Sequence, residues 1–171
     1  PDCLSIIGLA REVSAVFNKD MISRDAGIDE KTSDKKSPAV ECVIKNKKLC
    51  SLYTARIITG VKVQEACEKI KERIAVVGAR PVNNIVDITN YCLMENGQPL
   101  HAFDLDKING DKIFIREASE GEKIITIDDV ERKLKKGMLV IADEKKPIAI
   151  AGVMGGKETE VTEKTTNILL E

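Results

Sequence analysis

The chain has 171 residues and a formal net charge of −1, with 43% hydrophobic and 32% charged residues. That size suits one domain, or two small ones sharing a core, and the balance is that of a soluble globular chain rather than a disordered or membrane one. Near-neutral charge argues against a strongly basic nucleic-acid binder acting alone, although the numerous Lys and Arg residues leave room for a local basic face.

No apolar run approaches the length of a membrane span. The opening PDCLSIIGLARE has neither a basic n-region nor a small-residue cleavage site, so no signal peptide is expected. It also lacks an initiator Met, which suggests a chain cut from something longer. The five cysteines (Cys3, Cys42, Cys50, Cys67, Cys92) are odd in number, widely spaced and without a CxxC pair. They read as reduced thiols of a cytosolic protein, several at apolar helix positions, rather than as a disulfide framework or a zinc site.

In chain order, Cys3, Ile6, Ile7, Ala10, Val13 and Phe17 follow helical spacing, with Asp2 placed to cap them. Lys19 to Pro38 is polar and charged and reads as an exposed connection. AVECVIK and LYTARIITGVKV read as strands, with β-branched residues alternating with polar ones. In EACEKIKERIAVVG, Ala66, Ile70, Ile74 and Val77 form one apolar stripe and Gly78 is a C-terminal stop. A third helix is expected from about Asn84 to Glu95, ended by Asn96-Gly97. Short strands come next: LHAFD, KIFIREA, KIITID, ERKL, LVIAD, PIAIAGV and NILLE. Helices in the first half and strands in the second predict an α+β fold, with a mainly antiparallel, sandwich-like β core and flanking helices.

Three stretches could carry chemistry. PIAIAGVMGGKETEV resembles a phosphate cradle, but no Ser or Thr follows its Gly-Gly-Lys and no helical stripe comes after it. A dinucleotide fingerprint fails too, since no GxGxxG exists. Gly152, Gly155 and Gly156 then either make a tight turn or let a ligand approach the backbone. The single histidine, His101, starts a short strand after a Gly/Pro turn and lies near Asp104, where side chains often face a cleft. One His with dispersed cysteines sets a zinc hydrolase aside, and no GxSxG elbow supports a serine triad. In RPVNNIVDITNYCLMENG, the Asn pair explains a capped amphipathic helix, while Thr89 and Asn90 flank positions that spacing would bury. Buried polar groups there need partners, or they form a site.

RPVNNIVDITNYCLMENGQPLHAFDLDKI and LVIADEKKPIAIAGVMGGKETEVTEKTTNILLE closely resemble the bacterial phenylalanyl-tRNA synthetase beta chain, as do PDCLSIIGLAREV and CSLYTARIITGVKV. The resemblance covers nearly the whole chain and corresponds to the B3/B4 editing module, a three-layer domain spanning residues 1–171. It implies hydrolysis of tyrosine wrongly esterified to the phenylalanine tRNA. It also implies a cytoplasmic enzyme with no membrane association, whose partners are the 3′ end of tRNA(Phe), the rest of the beta chain and the alpha subunit of a heterotetramer. No cofactor or metal is implied for this domain, although the full-length synthetase uses ATP and Mg.

Residue by residue, the resemblance places Arg80 near the terminal adenosine and Thr89 and Asn90 beside the ester and amino group. It gives His101 the task of positioning the 3′ end or the attacking water. It sets the Gly152 backbone against the tyrosyl ring and gives Glu171 the tyrosine hydroxyl. Gly155 matches a family glycine that shapes or lines the pocket. On this basis Gly152→Val is expected to block tyrosine while leaving the fold largely intact. In the family a further strand and a Thr-containing segment come after the equivalent of Glu171, so weak or absent editing is expected of this chain. The alternative is a non-catalytic tRNA-binding or structural module.

Overall fold

The computed structural model describes residues 2–22, 27 and 38–171. Most of the connection expected between Lys19 and Pro38 lies outside them. Two compact units divide the chain: Pro1–Pro38 with Ala66–Leu100, and Ala39–Glu65 with His101–Glu171.

Among its described residues, the first unit holds three helices. α1 (Ile6–Phe17) begins at Ser5, whose hydroxyl accepts from the Gly8 N–H at 2.9 Å, and ends at Asn18 in the left-handed region. Ser5 therefore caps this helix rather than Asp2, and Cys3 precedes it. An N-cap must sit directly before the first helical residue so that its oxygen reaches a free N–H two or three positions on. The apolar stripe of α1 is largely uncovered: Ile6, Val13 and Phe17 are 63%, 55% and 67% exposed. α2 (Glu68–Val76) buries Ile74 and closes at Gly78 (φ 84°), with Gly78 N–H and Ala79 N–H donating to Ala75 and Ile74 carbonyls. α3 (Asn84–Asn96) starts where Asn83 Oδ1 accepts from Ile85 and Val86 N–H, both at 3.0 Å, and stops at Gly97 (φ 77°). Both ends fall where the local capping chemistry predicts.

The second unit holds the strands: β1 (Glu41–Ile44), β2 (Arg56–Thr59), β3 (Ala102–Asp104), β4 (Lys112–Glu117), β5 (Lys123–Ile125), β6 (Glu131–Lys133), β7 (Leu139–Ala142), β8 (Pro147–Ile150), β9 (Met154–Gly155) and β10 (Asn167–Leu170). A five-stranded sheet runs β1-β4-β7-β8-β9, a three-stranded sheet runs β2-β10-β3, and β5 and β6 form a hairpin. Every pairing is antiparallel except β1 with β4. This is the α+β, mainly antiparallel arrangement that the element order predicts. LYTARIITGVKV forms a strand only over Arg56–Thr59, because Gly60 turns left-handed (φ 71°) directly after it.

The core of this unit lies between its two larger sheets. Ile113, Ile115, Ile141 and Ile148 come from the five-stranded sheet, and Phe103 and Leu169 from the three-stranded one. Alternation places them: in KIFIRE only Ile113 and Ile115 are fully buried. Each such side chain contributes about 1.5–3 kcal/mol on burial. Asp104, at the end of β3, is buried rather than facing a cleft. Its carboxylate accepts from the Thr165 hydroxyl at 2.7 Å, pairs with Lys107 Nζ at 3.3 Å and accepts from the Asp106 N–H. Because Thr165 lies just ahead of β10, this contact fixes how β10 enters the sheet beside β3.

Candidate functional site

β3 and β10 pair Asp104 with Ile168, Phe103 with Leu169 and Ala102 with Leu170. One step further, His101 and Glu171 oppose each other. The Glu171 N–H donates to the His101 carbonyl at 2.8 Å, and the His101 N–H donates back at 3.4 Å. Strand periodicity then puts both side chains on the face that carries Phe103 and Leu169, at the end of the core. Tyr53, just before β2, packs against that same core. Its hydroxyl is shielded from solvent and faces the Glu171 carboxylate, yet completes no hydrogen bond of standard geometry among the described residues.

Burial sets the electrostatics of this group. It raises the Glu171 pKa to about 7, against a smaller lowering by the Tyr53 hydroxyl. It lowers that of His101. It pushes Tyr53 up, and the Glu171 charge adds to the rise. At neutral pH the group is thus a neutral imidazole, a neutral phenol and a carboxyl near its midpoint. The His101 ring meets Phe103 edge to face, with centroids 4.5 Å apart.

The three glycines after β8 answer to three different demands. Gly152 has φ 68°, and among the described residues no atom beyond its own chain neighbours lies within 4 Å of where its β-carbon would stand. The turn requires it and the space beside it is open, so Gly152→Val strains the backbone instead of leaving the fold intact. Gly155 needs no unusual φ, but a β-carbon there would lie 2.5 Å from His101 Cε1 and Nε2. At Gly156 a β-carbon would meet the Ile148 carbonyl oxygen at 2.6 Å. The chain continues from Gly156 into a single 3-10 turn (Lys157–Thr159) and not into an α-helix, so no phosphate cradle forms.

In the helical unit, Arg80 is exposed ahead of α3. Thr89 is buried on α3, and its hydroxyl donates to the Val86 carbonyl at 2.7 Å, so its need for a partner is met inside the helix. Asn90, next to it, is half-buried. Asp87 is 1% exposed; one carboxylate oxygen accepts from the Val82 N–H at 2.8 Å and the other has no hydrogen-bond partner among the described residues. That bond secures the turn between Arg80 and the helix.

The structure therefore brings His101, Gly155 and Glu171 together, with Gly152 at the tip of the β8–β9 turn. Arg80, Thr89 and Asn90 belong to the other unit. Sequence reasoning missed Tyr53, although its even spacing from Ile57 was a usable signal. All five cysteines are free; Cys67 and Cys3 are exposed, Cys42 and Cys50 edge the core, and only Cys92 lies within a helix. Among the described residues, no three His, Cys, Asp or Glu side chains group as a metal site, and no helix is long and apolar enough to cross a membrane.

The sequence profile of the B3/4 domain matches residues 49–171. The phenylalanine--tRNA ligase beta subunit of Fusobacterium nucleatum is 49% identical over 171 residues, which is 100% of this chain and 21% of that protein. The beta subunit of Dehalococcoides mccartyi is 48% identical over 170 residues (99% and 21%), and that of Protochlamydia amoebophila 50% over 169 (99% and 21%). The chain thus spans about a fifth of these relatives' length. In fold it is similar to an N-terminal fragment of the phenylalanyl-tRNA synthetase beta-subunit from Pyrococcus horikoshii. That likeness has a TM-score of 0.58 at 17% identity and covers 99% of this chain and 51% of the other.

Proposed function

Because this chain belongs to the B3/4 domain family, we propose that residues 1–171 are the editing module of a phenylalanine--tRNA ligase beta subunit. The module hydrolyses the ester of tyrosine mischarged on tRNA(Phe). The observation that carries this reading is the pairing of Glu171 and His101 at one end of a sheet, a shielded carboxyl beside a neutral imidazole. A pocket shaped for phenylalanine rejects an isostere with one added hydroxyl by only about 10²-fold. A second pocket that hydrogen-bonds the hydroxyl inverts the problem. It leaves its own polar group unpaired when phenylalanine enters, and such sites discriminate by about 10⁴ or more.

In this reading Glu171 accepts or shares the hydrogen bond of the tyrosine hydroxyl, and Gly152 leaves room for the ring. Water adds to the ester carbonyl carbon, the bond to the terminal ribose oxygen breaks, and the water's proton ends on that oxygen. Products are free tyrosine and uncharged tRNA. His101, neutral at physiological pH, orients the water or takes its proton in transit. The ester is activated, so an oriented water and modest electrostatic help suffice, without a covalent intermediate or a cofactor. Arg80, Thr89 and Asn90 keep the roles that the family resemblance gives them, each open to its own substitution. The setting is cytoplasmic, with the tRNA 3′ end and the alpha subunit as partners.

Deacylation of Tyr-tRNA(Phe) and Phe-tRNA(Phe) by a full-length beta subunit, assembled with its alpha subunit, tests the proposal. Glu171→Ala is expected to abolish the preference for the tyrosyl ester. An unchanged preference removes Glu171 from recognition, and no hydrolysis by the unaltered enzyme favours the alternative, a tRNA-docking module.

A further inference from the structure

We infer that Tyr53 is a specificity-determining positioning residue of this site, its phenol hydroxyl holding the Glu171 carboxyl in the orientation that receives a substrate hydroxyl. This rests on the function proposed above. The observations behind it are independent of the family resemblance, which gives Tyr53 no role.

Tyr53 and Glu171 reach one another through the sheet. β10 pairs with β2 through Leu169 with Ile57 and Leu170 with Arg56, so Glu171 continues past the strand end from which Tyr53 approaches. Tyr53 packs on the core beside Ile57, with its ring among apolar groups and its hydroxyl shielded from water. A phenol hydroxyl in such a place ordinarily finds a partner, because leaving it unmet costs as much as losing a hydrogen bond. The carboxylate of Glu171 is the group it faces; Cys42 and Cys50 also lie close enough to be felt, and His101 is held to Glu171 through the backbone. Geometry stops short of a closed hydrogen bond.

A carboxylate accepts through two oxygens, so one phenol can engage it and leave the second oxygen for another. Tyr53 thus occupies one side of Glu171 and directs the other toward the incoming tyrosine. It also favours the ionised carboxylate, which accepts from a phenol without having to donate. A phenylalanyl ring brings no hydroxyl to that second oxygen. The Tyr53–Glu171 pair then stays incomplete, which adds to the selectivity that Glu171 supplies alone.

The test is Tyr53→Phe in the full-length beta subunit with its alpha subunit, assayed on Tyr-tRNA(Phe) and Phe-tRNA(Phe). The ring stays and only the oxygen leaves, so folding is preserved; a thermal melt within a few degrees of the unaltered protein verifies it. The preference for the tyrosyl ester is expected to fall by about tenfold, the scale of one hydrogen bond to a charged group. The loss should appear in KM for the tyrosyl ester, with both constants for the phenylalanyl ester unchanged. In a Glu171→Ala background the same substitution should change nothing further, since the partner is gone. Equal losses on both esters, or an unchanged preference, overturn the inference and leave the editing reading standing. An unaltered enzyme with no preference for the tyrosyl ester overturns both.

Discussion

A β-carbon on Gly155 would stand 2.5 Å from the His101 ring, so the backbone of one residue sets the position of the other's imidazole. Gly155→Ala must therefore push the ring aside. Overpacking of this kind typically costs about 1–3 kcal/mol. The expected result is a modestly lowered melting temperature together with loss of tyrosyl-ester hydrolysis, measured on the same preparation. Full activity with an unshifted melt would mean that the ring position does not matter.

Gly152 separates backbone demand from room for a ligand. Its φ of 68° is costly for most side chains, by about 1–2 kcal/mol, and least so for Asn. Gly152→Val should lose stability and activity together and cannot separate the two demands. Gly152→Asn keeps the turn and fills the open space beside it. A stable Asn variant that no longer hydrolyses the tyrosyl ester supports a ring at this place; an active one makes Gly152 a turn residue only.

Stability should vary with pH through Glu171 in a definite direction. Burial raises its pKa to about 7 from the ordinary 4.5. Between those values the folded chain binds more protons than the unfolded one, so this group's contribution is complete below about 4.5 and is lost as pH rises through 7. Glu171→Gln removes that dependence. The variant should gain in melting temperature over the unaltered chain from pH 5 to pH 8, and a constant difference across that range would contradict a shielded carboxyl.

His101 gives the opposite signature. Burial depresses its pKa, so the folded form resists protonation and the neutral ring persists below the usual 6.5. If the ring takes the water's proton, hydrolysis should fall as pH drops through the lowered value, and His101→Ala should erase that limb of the profile. An unchanged limb with a uniformly lower rate assigns His101 to orientation instead.

Local chemistry was legible in the sequence wherever it was sufficient. Asn83, Gly78 and Gly97 mark helix ends because a cap needs only its own few neighbours. Apart from β9, the strands from Ala102 onward are legible from alternation and turn residues. The features that escaped depended on distant partners. The stripe on α1 is amphipathic whether or not anything covers it, and Ile6, Val13 and Phe17 are largely exposed. β9, Met154–Gly155, is too short to carry a periodic signal and exists because it pairs back on β8. Tyr53 and Glu171 meet only because β10 crosses between β2 and β3. The residue pattern singled out His101 and the resemblance supplied Glu171; their shared sheet end came from the fold.

That sheet end makes the two residues mechanically inseparable. Glu171 and His101 hold each other by main-chain bonds, and Asp104 pins the approach of β10 through Thr165. Sliding β10 by one position would turn every side chain on it to the opposite face. Glu171 would then leave the core face while His101 lost its cross-strand partner in the same movement. Leu169 would leave the core in that same slip, so a weakened Asp104–Thr165 clasp endangers selectivity and folding together.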